Sequence, residues 1–103
     1  MEIKYGGNIE ETAIDLELKK LTNLIYKLLP TYEEGEDWKK ILGTLQEEIV
    51  GMLDILFLQQ DLLFPLICKL EGLYSLEDDF MRYRGTIFEC LGIMGELRKR
   101  CQD

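Results

Sequence analysis

Histidine is absent from this chain of 103 residues, and cysteine and proline are scarce, with three and two copies. Without histidine the chain lacks the usual general base, and neither Cys90 nor Cys101 has its usual activator. The third cysteine, Cys68, is far from both, so no closely spaced pair is available for a structural zinc site. We therefore predict a protein that is not an enzyme, with no catalytic residue, no metal site and no cofactor.

The few cysteines and the lack of long apolar runs also indicate the cellular compartment in which we expect the protein. Cys68 and Cys90 lie in apolar segments, which predicts buried thiols in a reducing environment. Residues 1–5 lack the apolar core of a signal peptide. Polar residues such as Asp54 and Asp61 interrupt the most apolar segment, so it does not resemble a membrane span. These features predict a cytoplasmic protein that does not enter a membrane.

Basic residues are the minority among the charges. There are 20 acidic and 12 basic residues, which gives a net charge of −8. This charge repels phosphate backbones, so we do not expect binding to duplex nucleic acid, whereas a basic protein partner would be attracted. Acidic clusters at 33–37 and 77–79 suit helix N-termini, and an alternative is that they mimic nucleic acid in a partner's basic groove.

Strand signals are lacking, whereas helical periodicity recurs along the chain. A first helix is predicted over 9–29, with Asn8 and Glu11 as a capping pair and Pro30 as its end. A second helix over 38–60 becomes apolar on all sides in its second half, which requires cover from neighbours. Each helix has an inward stripe at alternating spacings of four and three, beginning with Ile14, Leu18 and Leu21, and with Trp38, Leu42 and Leu45.

The second half of the chain repeats this pattern. A third helix over 62–73 follows Asp61 as its N-cap, and it is either short and separate or continuous with the second helix through a kink. A fourth helix over 76–100 follows Ser75 as its cap. Its inward stripe is predicted to comprise Phe80, Tyr83, Ile87, Leu91, Met94 and Leu97.

Together these segments predict an all-α protein, an antiparallel bundle of about four helices. The whole chain, 1–103, forms one domain, with 1–7 as a flexible glycine-containing leader. A bundle with helices of unequal length leaves apolar surface uncovered, so we expect a homodimer or a larger homo-oligomer. The predicted oligomer interface comprises Val50, Leu53, Phe57, Leu58, Leu63, Phe64, Gly85 and Gly92.

Two further groups of residues suggest a small ligand or a metal ion. Adjacent glycines before a helix N-terminus, together with basic residues, favour binding of an anion such as a nucleotide. The predicted ligand-binding residues are Lys4, Tyr5, Gly6, Gly7, Arg82, Tyr83 and Arg84. The acids Glu47, Asp54 and Asp61 are seven residues apart and align on a continuous helix. All-α nucleotide pyrophosphatases bind magnesium with helical carboxylates, but their ExxE and ExxD pairs are absent from the second and third helices.

Three functional hypotheses follow, in order of preference. The first is a small acidic intracellular interaction module that self-associates and binds or inhibits a protein partner. The second is an oligomer that binds or sequesters a small anionic ligand such as a nucleotide. The third is a magnesium-dependent nucleotide pyrophosphatase.

Overall fold

Four α-helices make up the bundle in the part of the chain that the structure describes. The computed structural model describes residues 11–56 and 59–102. Helix α1 spans Glu11–Glu33, α2 spans Trp38–Gly51, α3 spans Gln60–Gly72 and α4 spans Phe80–Gln102, with a short 3₁₀ helix at Leu73–Leu76. Within these ranges most residues are helical and none lies in a strand. The predicted all-α bundle is confirmed.

The inward stripes meet in one core. Helix α1 packs against α2 and α4, and α3 packs against the same two neighbours, so the four helices surround a common interior. The predicted stripes of α1 and of the second helix are buried throughout. On α4, Cys90 and Cys101 join Tyr83, Ile87, Met94 and Leu97 in the core. Leu16, an apolar residue of α1 outside this stripe, is 66% exposed.

The first helix does not end at Pro30. It continues to Glu33, with Pro30 on its exposed side. Proline in the last turn removes only one helical hydrogen bond, and the turn continues through Glu34 N, which donates to Pro30 O at 2.9 Å. Gly35, with φ of 72°, then allows the reversal, and Asp37 Oδ1 caps α2 by accepting from Lys40 N.

The second helix is shorter than predicted. It ends at Gly51 rather than at residue 60, and irregular turns occupy 52–56. Because the chain changes direction here, Met52 and Leu56 still reach the core although they lie outside the helix. Ile49, Met52 and Leu56 are therefore buried in the core of their own bundle, whereas Val50 is half exposed. The alternative of a helix continuous from α2 into α3 is wrong.

The predicted caps of the third and fourth helices are also wrong. Helix α3 begins at Gln60, with Asp61 inside its first turn, and this start buries Leu63 rather than Leu62. Ser75 lies in the 3₁₀ helix, where its hydroxyl donates to Gly72 O at 2.8 Å. Asp79 caps α4 instead, because its Oδ1 accepts from Arg82 N at 3.2 Å.

Aromatic side chains close one end of the bundle, where α1 ends and α2 and α4 begin. We call this the aromatic end, formed by Tyr32, Trp38, Tyr74, Phe80 and Tyr83. The rings of Tyr32 and Tyr83 have centroids 4.4 Å apart, and Trp38 meets Tyr83 edge-on at 5.0 Å. Such pairs add to the stabilisation from burial. The Tyr83 hydroxyl donates to Leu28 O at 3.4 Å, and the Tyr32 hydroxyl donates to Glu77 O.

Candidate functional site

A groove opens at the other end of the bundle, between the start of α1 and the end of α2. It has a volume of about 270 Å³. Its walls are mostly apolar, and small residues on both helices leave room between them. The lining residues are Ala13, Ile14, Glu17, Glu48, Gly51, Met52 and Ile55.

The groove exists because α2 stops at Gly51. Helix α1 has 23 residues and α2 has 14, so α2 spans about 14 Å less than α1 at a rise of about 1.5 Å per residue. The turns that follow bring Met52 and Ile55 beneath the opening, with Met52 buried and Ile55 half-buried. Leu16, one residue before Glu17, adds exposed apolar surface to the same segment of α1.

Two carboxylates and one ammonium group lie at the groove. Lys20 Nζ contacts Glu48 Oε1 at 3.0 Å and Glu17 Oε2 at 4.0 Å. The hydrogen bond to Glu48, followed by the charges of Glu17 and Glu48, raises the pKa of Lys20. This cluster has a formal charge of −1, because two carboxylates share one cation. The groove therefore retains negative charge beside its apolar walls.

The second oxygen of Glu48 has no such partner. Glu48 Oε2 is buried and accepts no hydrogen bond from the part of the chain that the structure describes. A buried carboxylate oxygen without a donor costs free energy, and a donor that binds there recovers part of that cost. Glu48 lines the groove and its side chain is 29% exposed, so a cationic or N–H donor in the groove would lie beside this carboxylate.

The structure places the predicted ligand-binding residues in different surroundings, and some of them lie outside the described residues. Lys4, Tyr5, Gly6 and Gly7 lie outside the described residues, as do Asn8 and the rest of 1–10. Arg82 and Arg84 are exposed in the first turns of α4, and Arg84 lies over the Phe88 ring. Tyr83, between them, is completely buried, and burial followed by the nearby Tyr32 raises its pKa. Tyr83 therefore serves the core, and it is not available to a ligand.

The residues of the predicted oligomer interface also differ in their exposure to solvent. Val50 and Phe64 are about half exposed, Leu53 is half-buried, and Gly85 and Gly92 are exposed on α4. Phe57 and Leu58 lie outside the described residues. Leu63 is only 1% exposed, so its inclusion was wrong: it packs in the core of its own chain and offers no surface to a second copy.

The acidic stripe does not form as predicted. Because α2 ends at Gly51, Glu47, Asp54 and Asp61 do not share one helix. Asp61 instead binds Arg100, with its Oδ2 at 2.7 Å from Nη1. Over residues 11–56 and 59–102, no group of three acidic or cysteine side chains is arranged to hold a metal ion.

The other acidic clusters have structural roles. Asp37 and Asp79 cap helices, and Glu77 pairs with Lys39 at 2.9 Å. In the exposed loop, a hydrogen bond with Glu36 and then its charge raise the pKa of Glu34. These acids therefore contribute to local structure.

The three thiols are unbridged and differ in exposure. Cys90 is buried as predicted, and burial raises its pKa to about 12. A thiol with that pKa is protonated near neutral pH and is a poor nucleophile. Cys101 is buried as well, whereas Cys68 is exposed, so the prediction that it is buried was wrong.

The groove residues were missed by the sequence reasoning, apart from Ile14 and Met52, which were expected in the core. Comparisons of the chain with models of protein families, with curated protein sequences and with solved structures find no match. In the described segments, no helix is both long enough and apolar enough to span a membrane.

Proposed function

We propose that this chain is a non-enzymatic interaction module that self-associates and binds a protein partner through the groove. The observation that carries the proposal is the buried Glu48 Oε2, which accepts no hydrogen bond from any described residue and belongs to a side chain that lines the apolar groove. The partner segment that suits this site is a basic amphipathic helix. It would place an apolar side chain on Met52 and Ile55 and a lysine or arginine beside Glu48.

The size and chemistry of the groove support a side chain as its occupant. A volume of about 270 Å³ is below the usual range for sites that enclose a drug-sized molecule, about 300–1,000 Å³. Apolar walls and an acidic rim disfavour phosphate and suit the apolar face of a helix flanked by cations. The net charge of −8 would favour encounter with a basic partner. The three unbridged thiols support our proposal that the module works inside cells.

The test uses a designed helical peptide of leucine and lysine as the probe, with a leucine and glutamate peptide of the same pattern as its control. We expect micromolar binding of the lysine peptide, measured by fluorescence anisotropy, and no binding of the glutamate peptide. Glu48→Gln should weaken binding by about tenfold, because hydrogen bonds to charged groups contribute about 1.5–3 kcal/mol.

Glu47→Gln is the matched control. Glu47 is the neighbouring exposed acid, it does not line the groove, and its substitution changes the net charge by the same amount. A loss confined to Glu48→Gln supports the groove, whereas equal losses in both variants would mean general charge attraction and would overturn the proposal. Ala13→Leu, which narrows the groove without changing charge, should also weaken binding.

Two controls separate this function from the ligand-binding and hydrolase hypotheses. A ligand that binds the folded state raises the Tm. Because the proposed module does not bind nucleotides, micromolar nucleotides should leave its Tm unchanged. Nucleoside triphosphates with magnesium should not be hydrolysed, and Asp54→Asn should therefore change nothing. A nucleotide-dependent rise in Tm, or turnover lost in Asp54→Asn, would contradict the interaction module.

A further inference from the structure

The outward face of α4 has a second stripe of residues, and these residues follow the same spacing as the buried residues of α4. The buried stripe begins at Tyr83 and the outward stripe begins two residues earlier, at Met81; both alternate steps of four and three residues. Met81 is 75% exposed and Phe88 is 46% exposed. The outward stripe comprises Met81, Gly85, Phe88, Gly92, Gly95 and Lys99.

The three glycines of this stripe are not required by the packing of the single chain. A Cβ atom at Gly85, Gly92 or Gly95 would meet nothing within 4 Å. None of them has a positive φ, so alanine would be tolerated by the backbone as well. Gly43 and Gly51 of α2 have the same open surroundings, so what distinguishes the glycines of α4 is their place on one exposed stripe, where the lack of side chains would let another helix approach closely.

We propose that α4 pairs antiparallel with α4 of a second copy, with the two-fold axis at the level of residue 90. In this register Phe88 of one copy lies over Gly92 of the other, Gly85 faces Gly95, and Met81 faces Lys99. One register satisfies all these pairs, because the alternating spacing is the same in both directions. Phe88 then faces a glycine, the facing Gly85 and Gly95 allow a close approach of the two helices, and the contact is self-complementary, as a two-fold dimer requires.

Charge at the two ends of α4 favours the antiparallel direction. The acidic run 77–79 precedes the helix, and the basic run 98–100 lies in its last turns. Antiparallel pairing brings Asp78 of one copy near Lys99 of the other and places Arg84 level with Glu96, although it also places Arg82 level with Arg98. Parallel pairing would instead place each charge beside its own counterpart. Asp78 and Lys99 are both exposed and available for this attraction.

This inference rests on the self-association in the proposed function and specifies its surface. The outward stripe and the groove share no residue. A substitution in the stripe can therefore weaken dimerisation without weakening partner binding, and a substitution in the groove can do the reverse. The stripe from Met81 to Lys99 spans about 27 Å at about 1.5 Å per residue. A single pair of helices gives a contact at the small end of specific interfaces, so we expect a dissociation constant in the micromolar range.

Sedimentation velocity over a micromolar concentration series tests the pairing. The wild-type chain should convert from monomer to dimer, and Gly92→Gln should raise the dissociation constant by about tenfold or more, since its side chain occupies the space for Phe88. Glutamine is a better helix former than glycine, so this variant should remain folded. The control Gly43→Gln, at a glycine of α2 whose Cβ is also unobstructed, should leave the dimer intact.

Cysteine cross-linking tests the register in a Cys68→Ser background, which removes the exposed native thiol. A disulfide requires Cα atoms within about 7 Å. Gly85→Cys and Gly95→Cys face each other across the proposed axis, whereas two copies of either variant place their cysteines about 15 Å apart along the helix. We expect disulfides in the mixture of the two variants and none in either variant alone. A wild-type chain that stays monomeric, a dimer weakened equally by Gly43→Gln, or self-cross-linking of Gly85→Cys would overturn the proposal.

Discussion

The two ends of this bundle differ in how completely side chains fill the space between the helices. At the aromatic end, Tyr32, Trp38 and Tyr83 fill the space between α1, α2 and α4 with rings in mutual contact. At the opposite end, α2 stops at Gly51 and leaves a groove beside Ala13. The comparison suggests that one end stabilises the fold, while the other offers the surface through which we propose that a partner binds.

Local sequence explains the difference. Tyr32 and Trp38 flank a tight loop in which Gly35 adopts a positive φ, so the two rings necessarily lie close together. At the groove end, Ala13 and Gly51 are small, and no described residue donates a hydrogen bond to the buried oxygen of the Glu48 carboxylate. Among the residues that the structure describes, packing is therefore closer at the aromatic end than at the groove end.

The largest expected difference between the two ends is in the free energy of unfolding that is lost when one core side chain at each end is truncated to alanine. Trp38→Ala should lower the free energy of unfolding by about 3–5 kcal/mol, because Trp38 is buried and contacts three other rings. Met52→Ala should cost about 2 kcal/mol, since one side of Met52 already faces the groove. Urea denaturation measures both values. Equal costs would remove the distinction between the ends.

Alkaline pH should destabilise the fold in part through Tyr83, at the aromatic end. Burial raises the pKa of Tyr83, so the folded chain retains the phenol proton at a pH where the unfolded chain releases it. Its contribution is therefore complete below pH about 10, the pKa of an unfolded tyrosine, and falls above it by up to about 1.4 kcal/mol per pH unit.

Tyr83→Phe provides the matched comparison for this pH dependence. The variant should lose less stability than the wild type between about pH 10 and 11 when both are unfolded with urea. Cys90, whose pKa is raised in the same direction, is present in both proteins and cancels from the difference. Parallel pH profiles for the two proteins would contradict the assignment to Tyr83.

Glycine substitutions at the two ends should have opposite signs and smaller effects. Gly35→Ala should destabilise the fold by about 1–2 kcal/mol, because alanine is strained at φ of 72°. Gly51→Ala should stabilise it by about 0.5–1 kcal/mol, since its Cβ meets nothing within 4 Å in the last turn of α2. Thermal unfolding of the two variants measures these changes. A destabilising Gly51→Ala would show that the groove end is more tightly constrained than we infer.

Periodicity predicted the core well and the helix ends poorly. The stripe from Ile14 to Leu28 is buried as predicted, because an amphipathic face must meet its neighbours wherever the helix ends. The cap of α4 was misplaced at Ser75 because Asp79 is an equally good cap, and the 3₁₀ turn that buries Leu73 decides between them. Local sequence does not contain that tertiary preference.

The groove was not predictable for the same reason. Ala13 and Gly51 are separated by most of α1 and α2, and neither belongs to a recognisable motif. Their importance depends on where α2 ends, and the periodic pattern extended that helix through Met52 and Leu56. Both residues remain buried outside the helix, so their spacing gave no indication of the turn.

The most direct test of the groove is an NMR titration of ¹⁵N-labelled chain with the leucine and lysine peptide. The account predicts that the amide signals of Ala13, Gly51 and Ile55 shift with increasing peptide, while the indole signal of Trp38 at the aromatic end stays in place. It also predicts that Gly85, on the outward stripe of α4, is unaffected. Shifts of equal size at Trp38 or Gly85, or no shift at Gly51, would contradict the assignment of binding to the groove.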